Sequence, residues 1–183
     1  MTRLTRLMVV AALVVRASAA TAQVAPDVET VVPAPVPHVR GGDARAVTIL
    51  TEATVLSSTI ARLRADLQQS DVIVTVITGR LADGIDGLAR LVAAAGGVRH
   101  VRVTLKIPNS TTRLIATLGH ELCHATEIAG MPDVRNEASL AAAYRRVGVA
   151  MRGEGFFETD AAVRTGEQVA REIARAPRTV AAR

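Results

Sequence analysis

From Asp43 to Gln69 the apolar residues Ile49, Ala53, Leu56, Ile60, Leu63 and Leu67 recur at alternating steps of four and three. That spacing keeps one face of a helix apolar and predicts a single amphipathic helix over 43–69. The period then changes. Val72, Ile73, Val74, Val76 and Ile77 make a β-branched run from Asp71 to Thr78, ended by Gly79, which predicts a strand buried on both faces. A glycine-broken stretch follows, with a short helix predicted from Gly87 to Ala95. From Val98 to Ile107 the alternation is clear: Val101, Val103, Leu105 and Ile107 fall to one side, His100, Arg102, Thr104 and Lys106 to the other. This predicts a half-exposed strand. Pro108-Asn109 turns the chain, Ser110 is a sound N-cap, and a helix is predicted from there to Glu127. A last helix is predicted over Glu158–Ala174.

Upstream of these elements the pattern is of another kind. Arg3 and Arg6 precede nine apolar residues, Leu7 to Val15, and Ala20-Thr21-Ala22 has the small-residue spacing of a signal-peptidase site. Cleavage after Ala22 is expected, with a secreted or periplasmic product. Nine apolar residues ended by Arg16 fall well short of the roughly 20 that a spanning helix needs, so no stable membrane anchor is expected. Residues 23–43 hold Pro26, Pro33, Pro35 and Pro37 and end at Gly41-Gly42-Asp43; they read as an extended linker in which His38 is solvated. Residues 44–183 then form one domain with its own core.

Composition changes this picture little. The formal charge of +5 suggests an anionic partner, but Arg3, Arg6 and Arg16 would leave with the signal and reduce the excess to +2. No cluster of basic and aromatic residues remains, so nucleic acid is not an expected partner. Tyr144, Phe156 and Phe157 are the only aromatics, so the core must be built from Val, Leu, Ile and Ala. The single cysteine, Cys123, can form no internal disulfide, and burial on a packed helix would protect its thiol.

Candidate chemistry sits on the predicted 110–127 helix. Residues 120–124 read His-Glu-Leu-Cys-His. Histidines four apart project from one helix face, so both imidazoles can reach one metal ion. Glu121, about 100° round the helix from His120, can take a proton from an attacking water beside the metal. Along this helix Leu114, Leu118, Leu122 and Ala125 form a packing face, and Thr117, His120, Glu121 and His124 a binding face. A closed structural zinc site would normally use four protein ligands, often cysteine. One cysteine, partly off the histidine face, does not supply them.

The pentad and the order of elements around it resemble the zincin metallopeptidases in their minimal form, over residues 44–175 or so. The resemblance implies an α+β fold: an N-terminal helix, a small sheet with an exposed edge strand, the HExxH helix and a C-terminal helix carrying the third ligand. It implies Zn2+ as cofactor and a peptide or protein substrate whose backbone adds to the edge strand, here Val98 to Ile107. The metzincin branch is excluded, because its continuation would need glycine at 127 and histidine at 130, where this chain has Glu127 and Gly130. His38 and His100 precede the pentad, which leaves a downstream carboxylate as third ligand, as in gluzincins, with Asp133, Glu137, Glu154, Glu158, Asp160, Glu167 and Glu172 as candidates.

Glu158 is favoured, with Glu154 in reserve. It opens the last predicted helix, Ala161 and Ala162 would let that helix approach closely, and Phe156-Phe157 immediately precedes it. Glu158-Thr159-Asp160-Ala161-Ala162 is similar to gluzincin third-ligand segments, in which a second acid orients a histidine, although Asp160 stands only two residues on. Tyr144, between motif and third ligand, is the candidate oxyanion donor, with His100 behind it. The expectation is an exported zinc peptidase with ligands His120, His124 and Glu158 and general base Glu121. The alternative is an exported zinc-binding or partner-binding protein without catalysis.

Overall fold

The computed structural model describes residues 36–147, 149–150 and 157–176. The export segment, most of the 23–43 stretch, Glu154 and Phe156 lie outside the described residues. The fold is α+β: five helices and a mixed four-stranded sheet, with a further two-stranded ribbon.

Gly96 and Gly97, both at positive φ (59° and 80°), close a two-residue hairpin that sets the site-bearing edge of the sheet. The hairpin joins Gly87–Ala95 (β3) to Val98–Lys106 (β4) in antiparallel register, with Ala95 opposite Val98 and Leu91 opposite Val101. The helix expected over Gly87–Ala95 is therefore a strand. Its Ala- and Leu-rich composition favours a helix locally, but pairing along the whole of β4 outweighs that preference. The missed signal is the Gly-Gly pair, which needs no neighbours to be read as a hairpin turn.

Val39–Gly41 (β1) and Val72–Gly79 (β2) complete the sheet in the order β1-β2-β4-β3, with β1, β2 and β4 parallel. Three expectations change accordingly. The end of the 23–43 linker is a strand, and His38 is half-buried against the Leu67 carbonyl (Nδ1 to O, 3.0 Å) rather than solvated. β4 is interior, so the exposed edge is β3 and not Val98–Ile107. β2 buries Val72, Val74 and Val76 completely, while Ile73, Thr75 and Ile77 stay half-exposed. Both strand misreadings have one cause: β2 and β4 each bury one face and leave the other half-exposed, so both alternate although both are interior to the sheet.

The helix expected over 43–69 is two helices, Ala44–Leu56 (α1) and Ser58–Gln68 (α2), meeting at 112°. The apolar spacing does predict burial, since Ile49, Ala53, Ile60, Leu63 and Leu67 are all in the core. It misses the bend because Ser57, fully buried, caps both helices. Hydroxyls at 57–59 compete with the helical backbone, and a carboxylate from a distant element fixes the break. That carboxylate is Glu172 on the last helix, Asp160–Arg175 (α5), which accepts from Ser57 Oγ, Ser58 Oγ, Thr59 N and Thr59 Oγ1. Burial opposes its charge, but hydrogen bonds from Ser57, Gln168 and Thr59 outweigh burial and hold its carboxyl down at about 2. Glu172→Gln should cost about 1 kcal/mol near neutral pH, the scale of a lost helix cap. The folded pKa is depressed, so this stability is present above the ordinary value of 4.5 and is lost as pH falls towards about 2. Urea unfolding of both proteins at neutral and acidic pH checks it: the gap between them should close in acid.

Thr111–Ala129 (α3), N-capped by Ser110 as expected, is the central element. It packs on β2, β3 and β4 through one side and on α2 and α5 through others. Its C-terminus is held by Arg99 of β4, 1 % exposed, whose guanidinium donates to the carbonyls of Ile128 (2.6 Å), Met131 (2.7 Å) and Ala129 (3.1 Å) while clasping the Asp71 carboxylate. Among the described residues no single helix is long and apolar enough to cross a membrane.

Candidate metal centre

α3 presents His120 and His124 one turn apart, their rings 4.9 Å between centroids and inclined at 75°. Facing them is Glu158, in the two-residue strand Phe157–Glu158 (β6), which pairs with Val149–Ala150 (β5). Glu158 does not open a helix as expected: Thr159 is the N-cap and α5 starts at Asp160. Its Oε1 lies 3.1 Å from His120 Nε2 and 3.6 Å from His124 Nε2. The three ligand atoms fall within 4.8 Å of one another. Two imidazoles and a carboxylate suit zinc, which accepts such a set and leaves a position open. The residues present fit the ion that the motif implies.

The fit extends behind the histidines. His124 Nδ1 is 2.9 Å from Glu127 Oε2, so its Nε2 is turned towards Glu158. Thr159 donates to the other Glu127 oxygen at 2.6 Å, and Thr159 is both the neighbour of Glu158 and the cap of α5. One carboxylate thus ties the second histidine to the segment carrying Glu158. Outer partners of this kind set ligand orientation and basicity. Glu127 escaped the sequence reading, although its place three residues after His124, on the same helix face, was a legible signal. Asp160, weighed for this orienting role, is exposed.

The electrostatics follow from crowding. Burial disfavours charge on His124, but hydrogen bonds to Glu127 and Glu158 outweigh it and lift the imidazole to about 9. Burial lowers His120, with Glu158 working the other way. Burial also works to raise Glu127 and Glu158, yet hydrogen bonding from His124 leaves both below the ordinary carboxylate value. The metal-free centre therefore holds a protonated His124 among carboxylates. A metal ion would displace that proton.

Glu121 is buried, 5 % exposed, and burial pushes its carboxyl up to about 7, with His124 and the Ala89 backbone pulling in the opposite direction. β3 supplies the room it needs. A Cβ on Gly87 would lie 2.5 Å from Glu121 Oε1 and 2.5 Å from Thr117 Cγ2. Gly87→Ala should displace the Glu121 side chain at a cost of about 1–3 kcal/mol in strain. Unfolding midpoints combined with zinc content would show it as a stability loss with the ligand triad still loaded.

Tyr144, on Glu137–Val147 (α4), reaches the centre and lines the cavity around it. Its hydroxyl lies 3.2 Å from Glu127 Oε2 and 3.3 Å from His124 Nδ1, so it is engaged with the carboxylate that orients His124. Its ring stacks on Phe157 at 5.5 Å, which puts one of the few aromatics against the centre. His100 points to the opposite face of the sheet. Of the other carboxylates weighed as ligands, Glu137 pairs with Arg90, Glu167 with Arg171, and Glu172 holds the α1–α2 bend. Cys123 is buried beside Thr126 and Thr165, its thiol raised by burial and outside the ligand set.

The binding face of α3 is itself covered, because α4, α5 and β3 wall a cavity of about 1220 Å³ around the histidines. No family model, curated protein or solved structure matches this chain.

Proposed function

We propose that this chain is an exported zinc-dependent peptidase of the zincin type, with His120, His124 and Glu158 as ligands and Glu121 as general base. One observation carries the reading: two histidines one turn apart and a carboxylate converge within 4.8 Å, with a buried carboxyl group beside them. Zinc held there would supply Lewis acidity and make water a competent nucleophile at neutral pH. The remaining work belongs to the protein. Glu121, poised at about 7 in the metal-free centre, can take a proton from the attacking water and return it to the leaving amine. Glu127, Thr159 and Tyr144 keep His124 and Glu158 in place. β3 is the outer strand beside Glu121, so an extended peptide can add to it through main-chain hydrogen bonds.

The test is the zinc content of the full chain beside Glu158→Ala and Glu127→Ala, by elemental analysis after dialysis against a weak chelator. One zinc per chain is expected, lost in Glu158→Ala and held about 10–100-fold more weakly in Glu127→Ala. Absence of zinc from the unsubstituted protein would end the metal reading and the enzyme reading with it. Zinc without cleavage of a broad peptide library would favour a non-catalytic zinc-binding module, and the engaged Tyr144 hydroxyl is the observation on that side.

A further inference from the structure

The cavity around the histidines is walled on one side by a face of α4 that runs from Glu137 through Ala138, Ala141 and Tyr144 to Arg145. Its cationic side chains are almost all neutralised. Arg90 pairs with Glu137, Arg113 with Asp86, and the two histidines with Glu158 and Glu127. Arg145 is the exception: it lines the cavity, is exposed, and has no carboxylate at ion-pair distance among the described residues. It follows Tyr144 directly, whose hydroxyl reaches His124, so Arg145 shares the cavity wall with a residue that touches the centre. Glu137, with its charge already matched, lies eight residues back, about 12 Å along the helix axis. An extended chain covers that distance in three or four residues at about 3.3 Å each.

We infer that the site takes peptides with a carboxylate side chain close to the bond to be cut, bound by the Arg145 guanidinium. This deepens the peptidase reading and rests on it. A guanidinium binds a carboxylate through two parallel hydrogen bonds, a geometry that neither glutamine nor lysine offers it. The cavity exceeds the few hundred to about 1,000 Å³ typical of small-molecule sites, which suits a stretch of chain better than a free amino acid.

The experiment uses the full chain carrying Glu121→Gln, loaded with zinc, and short end-blocked, dye-labelled Ala/Gly peptides in which one Glu is walked through successive positions. Gln and Lys peptides serve as controls, and fluorescence anisotropy reads binding. One register of Glu should bind about tenfold more tightly than Gln, or about 1.4 kcal/mol, with the preference shrinking as salt rises. Arg145→Ala should erase the preference, and Arg145→Glu should turn it towards Lys; the side chain is exposed, so neither change disturbs the core. Equal binding of Glu and Gln in every register, or a preference that survives Arg145→Ala, overturns the inference. Digestion of the same peptides by the unsubstituted protein separates the two levels. Cleavage without acidic preference defeats this inference alone, whereas an Arg145-dependent preference without any cleavage upholds the ligand class and defeats the peptidase reading.

Discussion

Glu121→Gln is expected to lower peptide hydrolysis by about 10²–10⁴-fold while one zinc per chain is retained. Glutamine keeps the shape of the side chain and can still accept from the Ala89 backbone, but it cannot take up a proton. Glu121 lies outside the ligand triad, so metal content should not follow activity down. The change has a second, independent signature. The carboxyl is raised by burial from 4.5 to about 7, so in the metal-free protein the stability it contributes is full below 4.5 and is lost as pH rises through about 7. The glutamine variant should lack that decline. Activity assays, elemental analysis and urea unfolding across this pH window would check all three statements. Full activity in the variant would remove Glu121 as general base.

Arg99→Leu is expected to destabilise the protein by about 3–5 kcal/mol, the cost of removing one partner of a buried ion pair. Three carbonyls at the end of α3 would lose their donor, and Asp71 its guanidinium. Asp71 is one-third exposed and can recover some hydration, whereas Ile128, whose carbonyl takes the shortest of the three bonds, is buried. In a domain of this size the loss corresponds to a fall in Tm on the order of 10 °C. Arg99→Lys should recover only part of it, because one ammonium cannot span a carboxylate and three carbonyls. The same helix carries His120 and His124, so zinc should also be held less tightly. Thermal unfolding with and without zinc measures both effects. A variant as stable as the parent would show that the α3 terminus needs no such clamp.

Much of the centre was legible because it is local. The helix from Ser110, the one-turn spacing of His120 and His124, and the place of Glu121 between them depend only on the helical period. Arg99 was legible too, since it keeps step with Val101, Val103 and Leu105 in the alternation of β4 and so had to point inward. Its partners were not, because Asp71 and the end of α3 come from elsewhere in the chain. Glu158 was chosen from seven carboxylates by its neighbours; the geometry that brings it to the histidines depends on how α5 packs against α3, with Val169 seated on Gly119 and Gly166 against His120.

By itself, then, the sequence determined periods and local motifs: which helix bears the pentad, which residues of β4 face the core, and that an α+β domain would form. Only the tertiary structure decided strand order and the partners of polar groups. β3 became a strand through pairing with β4, α1 and α2 separated where Glu172 arrives from more than a hundred residues away, and Glu127 became the hub of the centre when Thr159 and Tyr144 met it. Periodicity records which side of an element is dry. It carries no record of what lies across the gap, because contact between distant segments depends on the packing of the whole chain.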